Sequence, residues 1–317
     1  MVNYSENIVS KSHLKIGAVI GMIGIARYKF YDWRERLGEE NHHNGKIPKA
    51  HWLTPEERQS IIDYAGQYMS ENSYYLKDGY RRIAYMGIDE NKFACSPTSV
   101  YRVLSKEGLL NKWKGKHTSS KGSGYRQPDA PFKEYHIDIK YINYKGTFLF
   151  LISIMDGYSR YIIHHELRLT MEEKDVEITV QKAIEKYPDK KPRIISDNGK
   201  QFISKDFQLF LKETGLQHIK TSIGYPQSNG KIERYHRSLE EECVRTKSMI
   251  DMEDAQRQIA SYVYHYNNNR LHSALFYLRP IDFLNGNVDE LLKIRQGKLD
   301  KATENRMNYW LDKKKVA

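Results

Sequence analysis

Cysteine is scarce: Cys95 and Cys243 are the only two in 317 residues. Two cysteines exclude a disulfide framework and a cysteine-rich zinc site, and they read as free thiols of a reducing compartment. Long apolar runs are missing too. The longest, Ile16 to Ala26, lies between Lys15 and Arg27. It is too short to cross a bilayer, and no small-residue cleavage context of a secretory signal accompanies it. No period of solenoid type runs along the chain. These absences point to a soluble, cytoplasmic protein with a sizeable core and about two domains. Acidic charge is in deficit: Lys and Arg outnumber Asp and Glu 51 to 40, for a net charge of +11. That balance suits an anionic partner, nucleic acid first. The net charge is +6 over residues 1–130, +2 over 131–245 and +3 over 246–317. A middle that does chemistry between flanks that hold an anionic polymer would divide this way. The 24 tyrosines, many beside Lys or Arg, suit nucleic-acid contact and core packing alike.

Residues 1–45 read as a helix-turn-helix. Ile16 to Ile23 is apolar, Gly24 breaks the pattern, and Ala26 to Arg36 forms a second helix carrying Arg27 and Lys29. Residues 52–112 repeat the theme. Thr54-Pro55-Glu56-Glu57 is a capping-box helix start, Gly79 opens another helix, and Ser96-Pro97 caps a third that closes at Gly108. Thr98, Ser99, Tyr101 and Arg102 on its opening turns make a candidate recognition helix. Residues 113–130 are a basic, Ser/Gly-rich linker; around its start Lys112, Lys114 and Lys116 suit a phosphate backbone or simply a solvated tether.

From residue 131 the pattern changes to period two. Tyr135 to Ile142, Phe148 to Met155 and Arg160 to Leu167 read as a three-stranded meander with turns at 144–147 and 156–159. Helices follow at 171–187, 204–214 and 229–245, with short strands at 193–196 and 217–220. The order β-β-β-α-β-α-β-α describes an α/β layered core over 131–245 with a mixed sheet. Residues 246–317 read as a helical C-terminal extension.

Three acids fall at informative places. Asp138 is mid-strand in Ile137-Asp138-Ile139, where an unpaired carboxylate is costly. Asp197 follows the short strand 193–196, at a strand end where ligands of open α/β sheets gather. Glu233 opens the last helix of the core. If they converge, their combined charge calls for hard cations, Mg²⁺ or Mn²⁺, and a two-ion site suits phosphoryl transfer. Taken one by one, each has an ordinary structural explanation: a turn, a helix surface, an ion-paired strand acid. Asp156, in Asp156-Gly157, reads as a turn residue. His136 and His236 read as packing near the acids, and Trp33, Trp52, Trp113 and Trp310 as packing residues.

Thirty-five residues separate Asp197 from Glu233, and this spacing resembles the Asp, Asp, 35, Glu pattern of the retroviral-integrase-core superfamily. The likeness extends through Ile137-Asp138-Ile139-Lys140-Tyr141, Met155-Asp156-Gly157-Tyr158-Ser159-Arg160, Ser196-Asp197-Asn198-Gly199-Lys200-Gln201-Phe202 and Pro226-Gln227-Ser228-Asn229-Gly230-Lys231-Ile232-Glu233-Arg234. It continues in Tyr266-Asn267-Asn268-Asn269-Arg270-Leu271-His272-Ser273-Ala274-Leu275 and Pro280. Over about residues 55–285 the chain resembles bacterial insertion-sequence transposases built on that core. The resemblance implies an RNase H-like fold behind helix-turn-helix modules, with Asp138, Asp197 and Glu233 as catalytic and metal-binding residues. It implies two-metal hydrolysis at element ends followed by attack of the freed 3′-hydroxyl on target DNA. Asn229, Lys231, Arg234 and Arg237 are then candidate DNA contacts, and residues 227–230 a mobile loop. Many relatives have a basic residue seven positions after the glutamate; here that position is Glu240. The expected partners are double-stranded DNA, both element inverted repeats and target, and a second copy of the chain on DNA, at the nucleoid. No zinc is expected. A nuclease of the same fold and a non-catalytic DNA-binding regulator remain alternatives.

Overall fold

The computed structural model describes residues 1–38, 48–49, 51–71, 79–110, 127–220 and 229–316. The chain forms two compact units, Met1–Lys49 and Ala50–Ala317. In the first, α1 (Val2–Lys11), α2 (Ile16–Met22) and α3 (Arg27–Glu35) close around Val2, Ile20 and Phe30, with Ile16, Ile25 and Trp33 packed against them. Gly24, at φ +76°, makes the break between α2 and α3.

The second unit begins with α4 (Pro55–Glu71), α5 (Tyr80–Asp89) and α6 (Pro97–Lys106). The Thr54 capping box forms: the Thr54 N–H donates to Glu57 Oε2 at 3.0 Å and the Glu57 N–H to Thr54 Oγ1 at 3.2 Å. Ser96 accepts from the Ser99 N–H at 3.2 Å. Ile61, Ile83, Val100 and Leu104 lead the core of these helices, and Leu271, far along the chain, belongs to it.

The sheet follows as β1 (Glu134–Tyr144), β2 (Thr147–Asp156) and β3 (Ile162–Arg168), then α7 (Glu173–Glu185), β4 (Arg193–Ser196), α8 (Lys200–Ile203), α9 (Lys205–Glu213), β5 (His218–Lys220) and α10 (Gly230–Leu239). Strand order is β3-β2-β1-β4-β5. The meander is antiparallel, whereas β4 and β5 run parallel to β1. This is the RNase H-like mixed sheet. Both faces are covered, as a sheet with parallel strands requires. Ile137, Ile139, Ile152 and Ile154 face Val176, Val180, Phe202 and Phe207. Ile142, Leu149, Leu151 and Met155 face Ile232, Tyr235 and Leu239.

Helix α10 stops earlier than the pattern over 229–245 predicts, and Glu240–Val244 continues as a π-helical turn. Then come α11 (Met252–Asn268), α12 (Pro280–Leu284) and α13 (Val288–Val316). At 29 residues, α13 is about 44 Å long. It is tied to the helices before the sheet. Arg295 donates two hydrogen bonds to the Asp89 carboxylate, at 2.7 and 2.6 Å. Arg306 Nε donates to Glu57 Oε1 at 2.9 Å, and the Trp310 indole donates to the Trp52 carbonyl at 2.8 Å. Trp33, Trp52 and Trp310 thus serve packing; Trp113 lies outside the described residues.

Candidate active site

Asp138 occupies an even position of β1, so its side chain shares the sheet face of α10 with His136 and Ile142. Its partner across the antiparallel pair is Ser153. His236 of α10 reaches both: Nδ1 lies 3.3 Å from Asp138 Oδ2, and Nε2 lies 3.2 Å from Ser153 Oγ. Asp138 Oδ1 accepts the Ile139 N–H at 2.9 Å. The mid-strand carboxylate is thereby oriented by the helix that carries Glu233. The sequence reading placed His236 near an acid as packing; its hydrogen bonds to both members of a cross-strand pair come from the fold.

The parallel pairing of β1 with β4 sets Glu134 opposite Arg193 and His136 opposite Ile195. Asp197 follows β4 directly and lines one cleft with Asp138. Asp197 is exposed at the strand end, and its Oδ1 accepts the Gly199 N–H at 2.9 Å. A Cβ on Gly199 would stand 3.0 Å from Asp197 Oδ1 and 2.9 Å from the Gln201 amide nitrogen. A larger residue there would have to displace the Asp197 carboxylate or the Gln201 amide.

Two clefts meet at Asp138. The larger, of about 870 Å³, holds Asp138 and Asp197 together with Glu172, Glu173, Glu177 and Asp206. Six carboxylates against Lys174 and Lys200 make it strongly acidic. Burial and then the neighbouring Asp206 and Glu173 raise the Glu177 pKa, as crowded like charges do. The smaller cleft, of about 400 Å³, holds Asp138 with Glu233, His236 and Arg237. Asp138 is thus common to both, with Asp197 on one side and Glu233 on the other. Among the described residues no three His, Cys, Asp or Glu side chains are gathered closely enough to hold a metal ion. The donor set is all carboxylate oxygen, which fits a hard cation in kind.

Glu240, at the position where a base was expected, pairs with Lys140 of β1 at 3.0 Å and with Arg245 at 3.1 Å. Burial pushes its pKa up, but these two partners outweigh that and hold it below the usual carboxylate range. Asp156 is fully buried and builds the β2–β3 turn. It accepts from the Phe132, Tyr158 and Ser159 N–H groups and from the Ser159 hydroxyl.

The candidate DNA contacts divide. Arg27, Lys29, Thr98, Tyr101, Arg102, Arg234 and Arg237 are exposed. Ser99 is turned inward, buried at 7% exposure, with its hydroxyl 3.1 Å from that of Ser96; it serves the cap instead of a free face. Asn229 is buried at the head of α10. Lys231 is half-buried and donates to the Gly157 carbonyl. Its pKa is lowered to about 8, by burial first and then by Arg160. Lys112, Lys114 and Lys116 lie outside the described residues, as do Gln227 and Ser228. Three cations escaped the sequence reading: Arg82, Arg160 and Arg270 line one cavity with Lys231 and Arg234. Arg160 and Arg270 stood within the quoted motifs, but nothing local showed that they meet.

The integrase core domain family matches this region twice, over residues 128–226 and over 214–280. Over those residues the chain is similar to integrase cores. Similar proteins include the transposase of insertion sequence IS904 from Lactococcus lactis, 28% identical over 184 residues. That match covers 55% of this chain and 73% of the relative. The transposase of insertion sequence IS3A from Escherichia coli K12 is 28% identical over 163 residues, covering 50% of this chain and 56% of the relative. Among solved structures, the HTLV-2 integrase catalytic core domain in complex with magnesium is 18% identical with a TM-score of 0.40. It covers 50% of this chain and 99% of that one. Among the described residues no helix is long and apolar enough to cross a membrane.

Proposed function

We propose that this chain is a DNA transposase that cuts and joins the ends of an insertion sequence by phosphoryl transfer, 3′-end hydrolysis followed by strand transfer. The supporting observation is the meeting of two acid-bearing clefts at Asp138, with Asp197 just past the end of the neighbouring strand and Glu233 on the helix that holds Asp138 through His236. In this reading Asp138, Asp197 and Glu233 are the catalytic carboxylates and would hold Mg²⁺ or Mn²⁺, two ions per site. Bound there, the ions supply Lewis-acid stabilisation of the attacking and leaving oxygens. The protein's part is placement. His236 and the Ile139 N–H keep the Asp138 carboxylate oriented, and the Gly199 turn keeps Asp197 at the strand end. Arg237, four residues after Glu233 on the same helix, offers a cation for DNA beside that cleft. The crowding of carboxylates repels DNA until cations neutralise it, so metal and DNA binding should reinforce one another. DNA recognition falls to the helices of residues 1–38 and to α6, and two copies act together because two ends must be joined while each chain has one such triad.

Glu233→Gln tests the reading, since it removes one charge and keeps the shape. Strand transfer with the element's inverted repeats should fall at least a hundredfold, with DNA affinity within about threefold of the parent. Cleavage and joining by the Gln variant at the parental rate would exclude Glu233 from the chemistry.

A further inference from the structure

Helix α10 has a second functional flank. Lys231 sits about 160° and Arg234 about 100° round the helix from Glu233, at 100° per residue, and both open on a separate cavity of about 90 Å³. Four chain segments build it. Arg82 comes from α5, Arg160 follows the β2–β3 turn, Lys231 and Arg234 come from α10, and Arg270 and Ser273 come from the loop after α11. None of its described lining residues is acidic.

The charge there is arranged at a cost. Arg270 is buried and satisfied: Nε donates to Glu242 Oε2 at 2.8 Å and an Nη to Glu242 Oε1 at 2.6 Å. Arg160 is different. It is half-buried, at φ +61°, a left-handed backbone that favours glycine. Among the described residues its guanidinium has no ion pair, and its near neighbours include another cation, Arg234. The buried Asp156 carboxylate holds the turn that presents it. Next in the chain to Tyr266, which lines the cavity, Asn267 accepts from the Ile162 N–H at 2.8 Å and donates to the Ile162 carbonyl at 3.0 Å. That pair ties the end of α11 to the start of β3. A half-buried, strained, unpaired arginine facing further cations is unfavourable for the empty protein and favourable as soon as an anion enters.

We propose that this cavity binds one phosphate group, and that in the working protein the phosphate belongs to the DNA backbone. The backbone assignment rests on the transposase reading above; the phosphate assignment does not. The volume is about three waters' worth, enough for one tetrahedral oxyanion and too small for a nucleoside. Planar guanidinium forks from several directions suit phosphate oxygens. Seated there, a phosphate draws α5, the β2–β3 turn, α10 and the 270–273 loop onto one ligand. It would therefore fix the catalytic helix from the side away from Glu233.

The experiment uses the full chain. Its affinity for a labelled duplex is followed by fluorescence anisotropy across a salt series, for the parent, Arg160→Gln, Arg234→Gln, their double variant and Arg160→Lys. Arg257→Gln, an exposed arginine on α11, controls for net charge. Each Gln variant should bind about tenfold more weakly and lower the slope of log K against log salt by about one. The double variant should lose little more slope than either single, because both residues hold the same phosphate. Arg160→Lys should recover part of the affinity. In parallel, inorganic phosphate at constant ionic strength should raise the Tm of the parent by several degrees and leave Arg160→Gln unmoved. Should Arg160→Gln prove misfolded by circular dichroism, the exposed Arg234 carries both measurements. DNA binding with parental slopes in both single variants overturns the backbone assignment. Equal stabilisation of parent and variants by inorganic phosphate overturns the site itself. A parent that binds no DNA yet gains Tm with phosphate, lost in the variants, keeps the site and overturns the transposase reading.

Discussion

At the scale of single residues, the proposed site gives His236 a positioning role. It touches the carboxylate and the Ser153 hydroxyl on the neighbouring strand. His236→Phe keeps an aromatic ring and loses both hydrogen bonds. Strand transfer should fall about 10–100-fold, with the Mg²⁺ concentration for half-maximal activity raised; His236→Asn, which keeps one donor, should recover part of that shift. An unchanged Mg²⁺ dependence would confine His236 to packing. Cys95 makes a separate prediction. Burial pushes its thiol up to about 12, with Glu57 adding to that and Arg306 opposing it. The native protein at pH 8 should leave Cys95 unalkylated by iodoacetamide, and urea should expose it, as mass spectrometry of the alkylated peptide would show.

Secondary-structure elements carry the sequence signals most faithfully. The Thr54 and Ser96 caps sit where their sequences place them, because a cap is decided within four residues. Thr54→Ala should cost about 1 kcal/mol in urea denaturation. Gly87 marks a tighter constraint: a Cβ there would lie 2.3 Å from the Phe93 ring. Gly87→Ala should destabilise by about 1–3 kcal/mol or more, since the clash is with a ring inside the helical core. The shortening of α10 belongs to this scale as well. The apolar spacing through residue 245 permits a straight helix. The fold instead draws Glu242 inward to Arg270 and Tyr262, and the chain leaves the α-helical repeat at Glu240.

For the whole molecule, the helices of residues 55–106 are not a free-standing module. Leu271 enters their core, and Arg295, Arg306 and Trp310 of α13 bind Asp89, Glu57 and Trp52. Removing residues 1–110 would strip a surface from the remainder, whereas Met1–Lys49 forms its own unit. Trans-complementation is therefore tested with a chain lacking residues 1–49 mixed with the Glu233→Gln chain. Recovery of strand transfer by the mixture is expected if one subunit holds the end that the other cuts. Persistent inactivity, with both chains assembled on DNA, would sink that arrangement.

Acid sensitivity is likewise a property of the whole fold. Burial, then the Arg270 charge, with Arg82 and Lys247 adding and Glu242 opposing, lowers the His265 pKa to about 4 from 6.5. The pKa of His272, fully enclosed, is lowered as well, by burial first and then by Arg270, Arg82 and Arg160. Both are neutral in the fold and take up a proton on unfolding below about pH 6.5. Their contribution to stability is complete above that pH and declines on acidification toward pH 4, by about 1.4 kcal/mol per pH unit for each group. Urea midpoints at pH 7.5 and pH 5 check the sign, and His265→Gln should flatten the dependence.

The sequence by itself determined what short-range chemistry decides. Caps, the hairpin turn at 144–147, the period-two strands and the placing of Asp138, Asp197 and Glu233 at a mid-strand, a strand end and a helix start all follow from neighbours a few residues apart. The mixed character of the sheet was also legible, because hairpins force antiparallel pairs and helical crossovers permit parallel ones. Only the tertiary structure decided which groups meet at a distance. Asp89 and Arg295 are 206 residues apart, Lys140 and Glu240 a hundred, and Arg82, Arg160, Lys231, Arg234 and Arg270 come from four segments. Such meetings depend on strand register and on how helices pack over the sheet, and no local pattern encodes either. The sequence shows a positive excess; the fold decides that five of those charges share one small cavity, and that Asp138 stands between two acid-lined clefts.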